Sequence, residues 1–269
     1  MPLLPDNVTD LLESLKGKGA LITIILVLIQ FIVLSFLFFI FMRMPPSSKN
    51  KIVNELNVEK IIGYKKINIF SYFGSIEDTR DIQVIVTSEN SDLELASFSS
   101  TSISGRVRNM ASSKDEVGNI ISDPLHENIA HFKNTHNKYN DFNLGTCILS
   151  QPLKLQDCGV MCVIHAVAIK KNRDNTICYD HLAIRKIISY SIKNCIDNCY
   201  ESIFIPIFGI GNAQQDPTDL INKQLESIKF VLDHELMNAT SILNLNIYLG
   251  VYRELDCLFL KKSSIKTFR

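Results

Sequence analysis

Two short stretches of this chain hold the residue types that could grip a ligand. Phe208-Gly209-Ile210-Gly211-Asn212 directly follows the apolar run Ile203-Phe204-Ile205-Pro206-Ile207. Glycines after a strand let the backbone approach a ligand and turn its N–H groups inward, which suits a phosphate at a helix start; a tight strand-to-helix turn reads the same way. Thr87-Ser88-Glu89-Asn90-Ser91-Asp92 leaves a second apolar run and leads into the small, polar stretch Ser97 to Gly105. In open α/β sheets, ligands sit in the crevice beyond the carboxyl ends of the strands, so these loops carry the functional weight. His165 lies inside an apolar run, where an imidazole reads as a hydrogen-bonded core group. It is assigned no chemistry.

The elements that must position these loops alternate. Ile67 to Phe73, Ile82 to Thr87, Gly145 to Ser150, Val160 to Val167, Ser202 to Ile207 and Leu245 to Val251 are short apolar or alternating runs rich in β-branched residues, which predicts strands. His126 to Tyr139, His181 to Asn198 and Thr218 to Met237 have the length and apolar spacing of amphipathic helices; in the last, Leu220, Leu225, Ile228, Val231 and Leu232 share one side. The alternation predicts an α/β sandwich with a mainly parallel sheet.

Seven cysteines form an odd set without compact disulfide spacing. Cys158 and Cys162, Cys195 and Cys199, and Cys178 with His181 are close enough to weigh as zinc ligands. They lack the C-x₂-C spacing of short-loop sites, so the reading is reduced, mostly buried thiols and no metal.

The N-terminal region is of another kind. Ala20 to Met42 runs for twenty-three residues without a charge. As a helix it would rise about 35 Å, enough for a hydrocarbon core of roughly 30 Å. A secretory signal would have a shorter apolar core and end in small residues, not Phe39, Phe41, Met42 and Arg43. Lys16 and Lys18 before the span are offset by Asp6, Asp10 and Glu13, whereas Arg43, Lys49, Lys51 and Lys60 follow it. The bias predicts a single-pass membrane protein with a cytoplasmic C-terminal domain. Gln30, near the midplane, is either an interhelical contact or a tolerated polar residue. Residues 1–19 thus form a short tail, 20–42 a transmembrane helix, 43–60 a linker opened by Pro45 and Pro46, and 61–269 one domain. Twenty-eight basic residues balance twenty-eight acidic ones, which leaves no electrostatic footprint for nucleic acid.

In order along the chain, the soluble region resembles the macro domain, the ADP-ribose-binding α/β/α fold. Gly74-Ser75-Ile76 stands where that family has Gly-Asp-Ile. Ile82 to Asn90 is similar to its Val-Asp-Ala-Ile-Val-Asn-Ala-Ala-Asn strand and loop, and Ser102-Ile103-Ser104-Gly105 to its Gly-Val-Asp/Ala-Gly segment. Val163 to Val167 resembles Ile-Ile-His-Ala-Val, and Ser202 to Pro206 resembles Ser-Ile-Ala-Phe-Pro. Gly209-Ile210-Gly211 follows as the phosphate loop, and Tyr248 to Tyr252 resembles the last strand with its adenine-side aromatic.

The resemblance implies a three-layer α/β/α sandwich with a mixed, mainly parallel sheet, preceded by a single transmembrane helix. It implies that Ser75 and Ile76 lie at the adenine end and Asn90 at the distal ribose. Backbone N–H groups of Ile103, Ser104, Gly105 and Arg106 and of Gly209, Ile210, Gly211 and Asn212 would cradle the diphosphate, and Tyr252 would stack on adenine. The departures matter as well. Ser75 replaces the Asp that receives the adenine amino group, with Glu77 and Asp78 close by. Ser104 replaces the Asp that helps hydrolytic members activate water, and a hydroxyl is a poor base near neutrality. Asp92 and Asp216 do not occupy the matching place.

Anchor and pocket together resemble the transmembrane-macro effectors of bacterial type II Thoeris antiviral defence. That implies no catalysis and no cofactor. The implied ligand is ADP-ribose or a derivative, amino-acid conjugates included, made by a TIR-domain enzyme that consumes NAD, and the implied partners are the bilayer and further copies of this chain. The alternative is a membrane-tethered ADP-ribosyl hydrolase or a reader of ADP-ribosylated proteins.

Overall fold

A computed structural model of the protein describes residues 30, 31, 33, 35, 58–64, 66–171, 177–210, 216–238 and 244–268. The chain divides into two compact units, Met1–Asn50 and Lys51–Arg269. In the first, Gln30, Phe31, Val33 and Ser35 are helical and exposed. The rest of the expected span at 20–42, and most of the expected linker, lie outside the described residues. Among those described, no helix is long and apolar enough to cross a membrane.

The second unit is built on one mixed sheet. Its strands are β1 (Val58–Tyr64), β2 (Ile67–Phe73), β3 (Val84–Asn90), β6 (Cys147–Ser150), β7 (Cys162–Lys171), β9 (Ser202–Pro206) and β10 (Leu245–Val251). The spatial order is β1-β2-β10-β9-β3-β7-β6, and β8 (Ile177–Cys178) pairs with β7 off that path. From β2 to β7 every neighbour is parallel, while β1 and β6 close the edges antiparallel. A separate hairpin joins β4 (Ser113–Lys114) to β5 (Ile120–Ser122).

Two helices cover one face, α1 (Ile103–Ala111) and α2 (Pro124–Thr135). The other face carries α3 (His181–Asp197), α4 (Pro217–Asn238) and α5 (Glu254–Phe268). The core accordingly falls into two apolar clusters. Ile164, Ile205 and Ile247 pack with Ile187, Leu225 and Leu260 on the α3–α5 side. Ile85, Val163 and Phe204 pack with Val107 and Ile129 on the α1–α2 side. Burial of both sheet faces explains why the parallel strands read as near-continuous apolar runs.

Several elements depart from the sequence reading. β1 begins at Val58, upstream of the expected Ile61 start, because the exposed Glu59 and Lys60 of an edge strand mask its apolar pattern. α1 occupies ground read as loop: the hydroxyl-rich stretch before it ends in Ser102, whose side chain caps the helix by accepting the Gly105 N–H at 3.2 Å. α5 follows Tyr252 without a continuous apolar stripe: it buries Asp256, Ser263 and Ser264 beside Leu260 and Phe268, and it exposes Leu255, Leu258 and Ile265. By contrast, β2, β10 and the apolar side of α4 match the expected residues.

Candidate functional site

The carboxyl ends of the parallel strands open into two adjoining cavities of about 460 and 230 Å³. They share Thr101, Ile103 and Tyr252. Ser88 from β3, Ile169 from β7 and Pro206 to Gly209 after β9 line the larger one, and Phe73 to Ile76 after β2 line the smaller. This is the crevice where doubly wound sheets bind ligands, because loops from different strands converge there around exposed backbone groups.

The loop after β9 is held from behind. Gln224, fully buried on α4, accepts the Phe208 N–H at 2.9 Å and donates its amide to the Pro206 carbonyl at 2.8 Å. Gly209 takes φ 80°, a left-handed conformation that favours glycine, and it lines the larger cavity. Ile210 is buried, and Gly211 and Asn212 lie outside the described residues.

The start of α1 forms the opposite wall. The first turn of a helix carries N–H groups without intrahelical acceptors and the positive end of the macrodipole. Here they are partly engaged. The Gly105 N–H bonds Ser102 Oγ and the Arg106 N–H bonds the Ser102 carbonyl at 3.0 Å. Of the cradle expected from Ile103 to Arg106, the Gly105 and Arg106 N–H groups are thus already bonded to Ser102. Gly105 is required by closeness, since a Cβ there would stand 2.7 Å from the Ser97 carbonyl oxygen.

At the smaller cavity, Ser75 caps a 3₁₀ turn, Ile76–Asp78, and Ile76 is buried. Arg106 Nη1 donates to Ser75 Oγ at 2.6 Å and to Glu77 Oε2 at 2.7 Å, and its Nε donates to the Thr101 carbonyl at 3.0 Å. One guanidinium therefore ties both loops of the site together. Tyr252 is 43 % exposed and bridges the two cavities. Burial of its hydroxyl pushes the phenol up from its ordinary value, against the Ile103 hydrogen bond and the Arg106 charge, which pull it down.

Asn90 is not brought into either cavity lining. Its Oδ1 accepts the N–H groups of Asp92 at 3.0 Å and Glu94 at 3.1 Å, so the carbonyl builds the turn. Asp92 accepts the Asp141 N–H, and Asp216 accepts the Thr218 N–H at the start of α4; both are thus occupied as turn and cap groups. Among the described residues no group of three or more His, Cys, Asp and Glu could hold a metal ion. Burial raises the thiols of Cys147 to about 12 and of Cys162 to about 11, so both stay protonated at neutral pH.

Beneath the larger cavity lies a polar cluster that the sequence reading did not assemble. Thr87, Glu89 and His165 are at most 2 % exposed. Thr87 Oγ1 donates to Glu89 Oε1 at 2.6 Å and lies 3.1 Å from His165 Nδ1, while Ser104 Oγ donates to Glu89 Oε2 at 2.9 Å. The β3–β7 register pairs Thr87 with His165 directly. The available signal was the alternation of β3, where Thr87 and Glu89 continue the buried face begun by Ile85.

Solved structures with this fold include the Oceanobacillus iheyensis macrodomain with MES bound, at TM-score 0.59 and 13% identity over 78% of this chain and 96% of that one. The Oceanobacillus iheyensis macrodomain with ADP matches at TM-score 0.58 and 14% identity, over 78% of this chain and 95% of that one. The Trypanosoma brucei macrodomain in complex with ADP-ribose matches at 0.54 and 15%, over 76% of this chain and 73% of that one. At such identities the likeness is one of fold: this chain has the α/β macrodomain fold, a mixed sheet flanked by helices. No family model and no curated protein matches the sequence.

Proposed function

We propose that this chain is a single-pass membrane effector whose cytoplasmic macro-type domain binds an ADP-ribose-derived nucleotide. The nucleotide is a signal that a TIR-domain enzyme makes from NAD, and binding drives copies of the chain to assemble and disrupt the membrane in antiviral defence. The observation that carries the binding half is the pair of cavities joined at Thr101, Ile103 and Tyr252 across the strand ends. Their combined length offers one end for a base beside Tyr252 and Ser75 and another for a diphosphate and sugar between α1 and the Pro206–Gly209 loop. The charge-free run Ala20 to Met42 and the basic residues after it support the anchor and its orientation. A ligand can drive assembly only through a difference in affinity between resting and assembled states. Hydrolysis is the weaker alternative, because Ser104 is hydrogen-bonded into the floor and Asp92 and Asp216 are engaged in turns.

The test is calorimetric titration of the full-length chain in detergent with ADP-ribose, NAD and the small-molecule extract of cells containing an active TIR enzyme, followed by sizing of the complex. Tight binding of a compound unique to that extract, with a rise in oligomer size, is expected. Strong binding of plain ADP-ribose, none from the extract and no change in size would replace the effector by a reader or hydrolase of ADP-ribosylated protein.

A further inference from the structure

The protons of the buried cluster all run one way. Thr87 and Ser104 both give their hydroxyl protons to Glu89, one to each carboxylate oxygen. His165 Nδ1 lies 3.1 Å from Thr87 Oγ1 and 3.4 Å from Glu89 Oε1, both acceptors once the threonine proton is committed, so it is the protonated ring nitrogen. Nε2 is buried and has no hydrogen-bond partner among the described residues.

Ser104 is the member of this cluster that lines the larger cavity. A serine hydroxyl has one proton and two lone pairs. The proton goes to Glu89 and one lone pair receives the Ala96 N–H at 3.3 Å. What Ser104 Oγ can offer a ligand is therefore a single acceptor site. A phosphate oxygen placed there would meet a lone pair backed by a buried carboxylate, whereas a sugar hydroxyl or an amine would complete the shell.

We infer that Glu89 sets the hydrogen-bond polarity of Ser104, and thereby makes the floor of the larger cavity select a nucleotide bearing a hydrogen-bond donor beyond its diphosphate over one that ends in phosphate. The inference rests on the nucleotide reading above and adds the residue pair that decides which nucleotide is taken. The α1 start still favours anionic groups through its backbone. Side chain and backbone thus divide the cavity, with phosphate along the backbone edge and the donor-bearing group over Ser104. Glu89 is a positioning residue in this scheme, since it acts on the ligand through Ser104.

The test titrates the full-length chain in detergent with ADP-ribose and with ADP, in the wild type, Glu89→Gln and Ser104→Ala. The glutamine can donate its amide to Ser104 Oγ and release the serine proton toward the cavity, reversing the polarity at nearly constant shape. The wild type is expected to bind ADP-ribose at least about tenfold more tightly than ADP. Either variant should bring that ratio close to one by weakening ADP-ribose, with ADP affinity held within about twofold. A thermal melt identifies a variant that has not folded, and the other then decides by the same ratio. Binding of both nucleotides with an unmoved ratio, or equal affinities in the wild type, overturns the inference and leaves the nucleotide reading standing. Binding of neither by the wild type removes both.

Discussion

Gln224 accepts the Phe208 N–H at 2.9 Å across a sequence separation of 16 residues, and the same side chain donates to the Pro206 carbonyl. A helix on the far face of the sheet thereby shapes the loop that walls the cavity. The amide is fully buried, so nothing but protein can satisfy the two backbone groups if it is lost.

Replacing Gln224 with Leu should therefore cost about 2–6 kcal/mol, the sum of two buried backbone groups left without partners. Nucleotide affinity should fall along with stability, because the loop is freed. Urea unfolding and titration of the same preparation check this. A stability loss with unchanged affinity would show that the loop does not contact the ligand.

Gly105 makes a different kind of demand. A Cβ at this position meets backbone, the Ser97 carbonyl oxygen at 2.7 Å, and cannot be relieved by turning a side chain. Gly105→Ala should destabilise the domain by about 1–3 kcal/mol, as overpacking does, despite the better helix propensity of alanine. It should also weaken nucleotide binding by displacing the Ser97–Ser102 segment from the start of α1. A melting temperature at or above that of the parent would remove the close approach from the account.

Alkaline pH should unfold the domain through Tyr72. Its hydroxyl donates to the Ser75 carbonyl at 2.5 Å, and burial, with Asp78 adding and Arg106 subtracting, raises the phenol from 10.0 to about 12. The folded state holds this proton more tightly than the unfolded chain, so its contribution is intact below pH 10 and is lost as pH climbs toward 12. Over that window the loss is on the order of 2 kcal/mol. The buried thiols of Cys147 and Cys162, raised from 9.0, act in the same direction from a lower starting pH. Unfolding free energies measured from pH 8 to 12 should decline, and Tyr72→Phe should flatten the upper part of the curve. An identical slope in that variant would assign the decline to the thiols.

Much of the scaffold was legible because it depends on local patterning. The strands Ile67–Phe73 and Leu245–Val251 and the helix Pro217–Asn238 carry apolar spacing strong enough to survive any context. The strand Val58–Tyr64 was missed because an edge strand holds charges where the pattern would show, and the helix Glu254–Phe268 because it buries Asp256, Ser263 and Ser264 while Leu255, Leu258 and Ile265 are exposed. The helix Ile103–Ala111 was missed for a subtler reason: serine serves loops and caps alike, and whether Ser102 is one or the other depends on a hydrogen bond to Gly105.

For the site, the order of segments along the chain was enough to point to strand ends, a glycine turn, Tyr252 and the Ser75 and Ser104 departures, since those are matters of residue type and succession. Which side chains converge was decided by the tertiary structure. Asn90 closes a turn and is absent from the cavity linings, Arg106 ties two loops across the smaller cavity, and Gln224 reaches back to the loop after the ninth strand from the helix that follows it. Thr87, Glu89, Ser104 and His165 form one cluster because a strand register and a helix approach place them together, and their proton order follows from that geometry. Sequence spacing carries no record of either, because both arise only when residues far apart in the chain compete for the same buried hydrogen-bond partners.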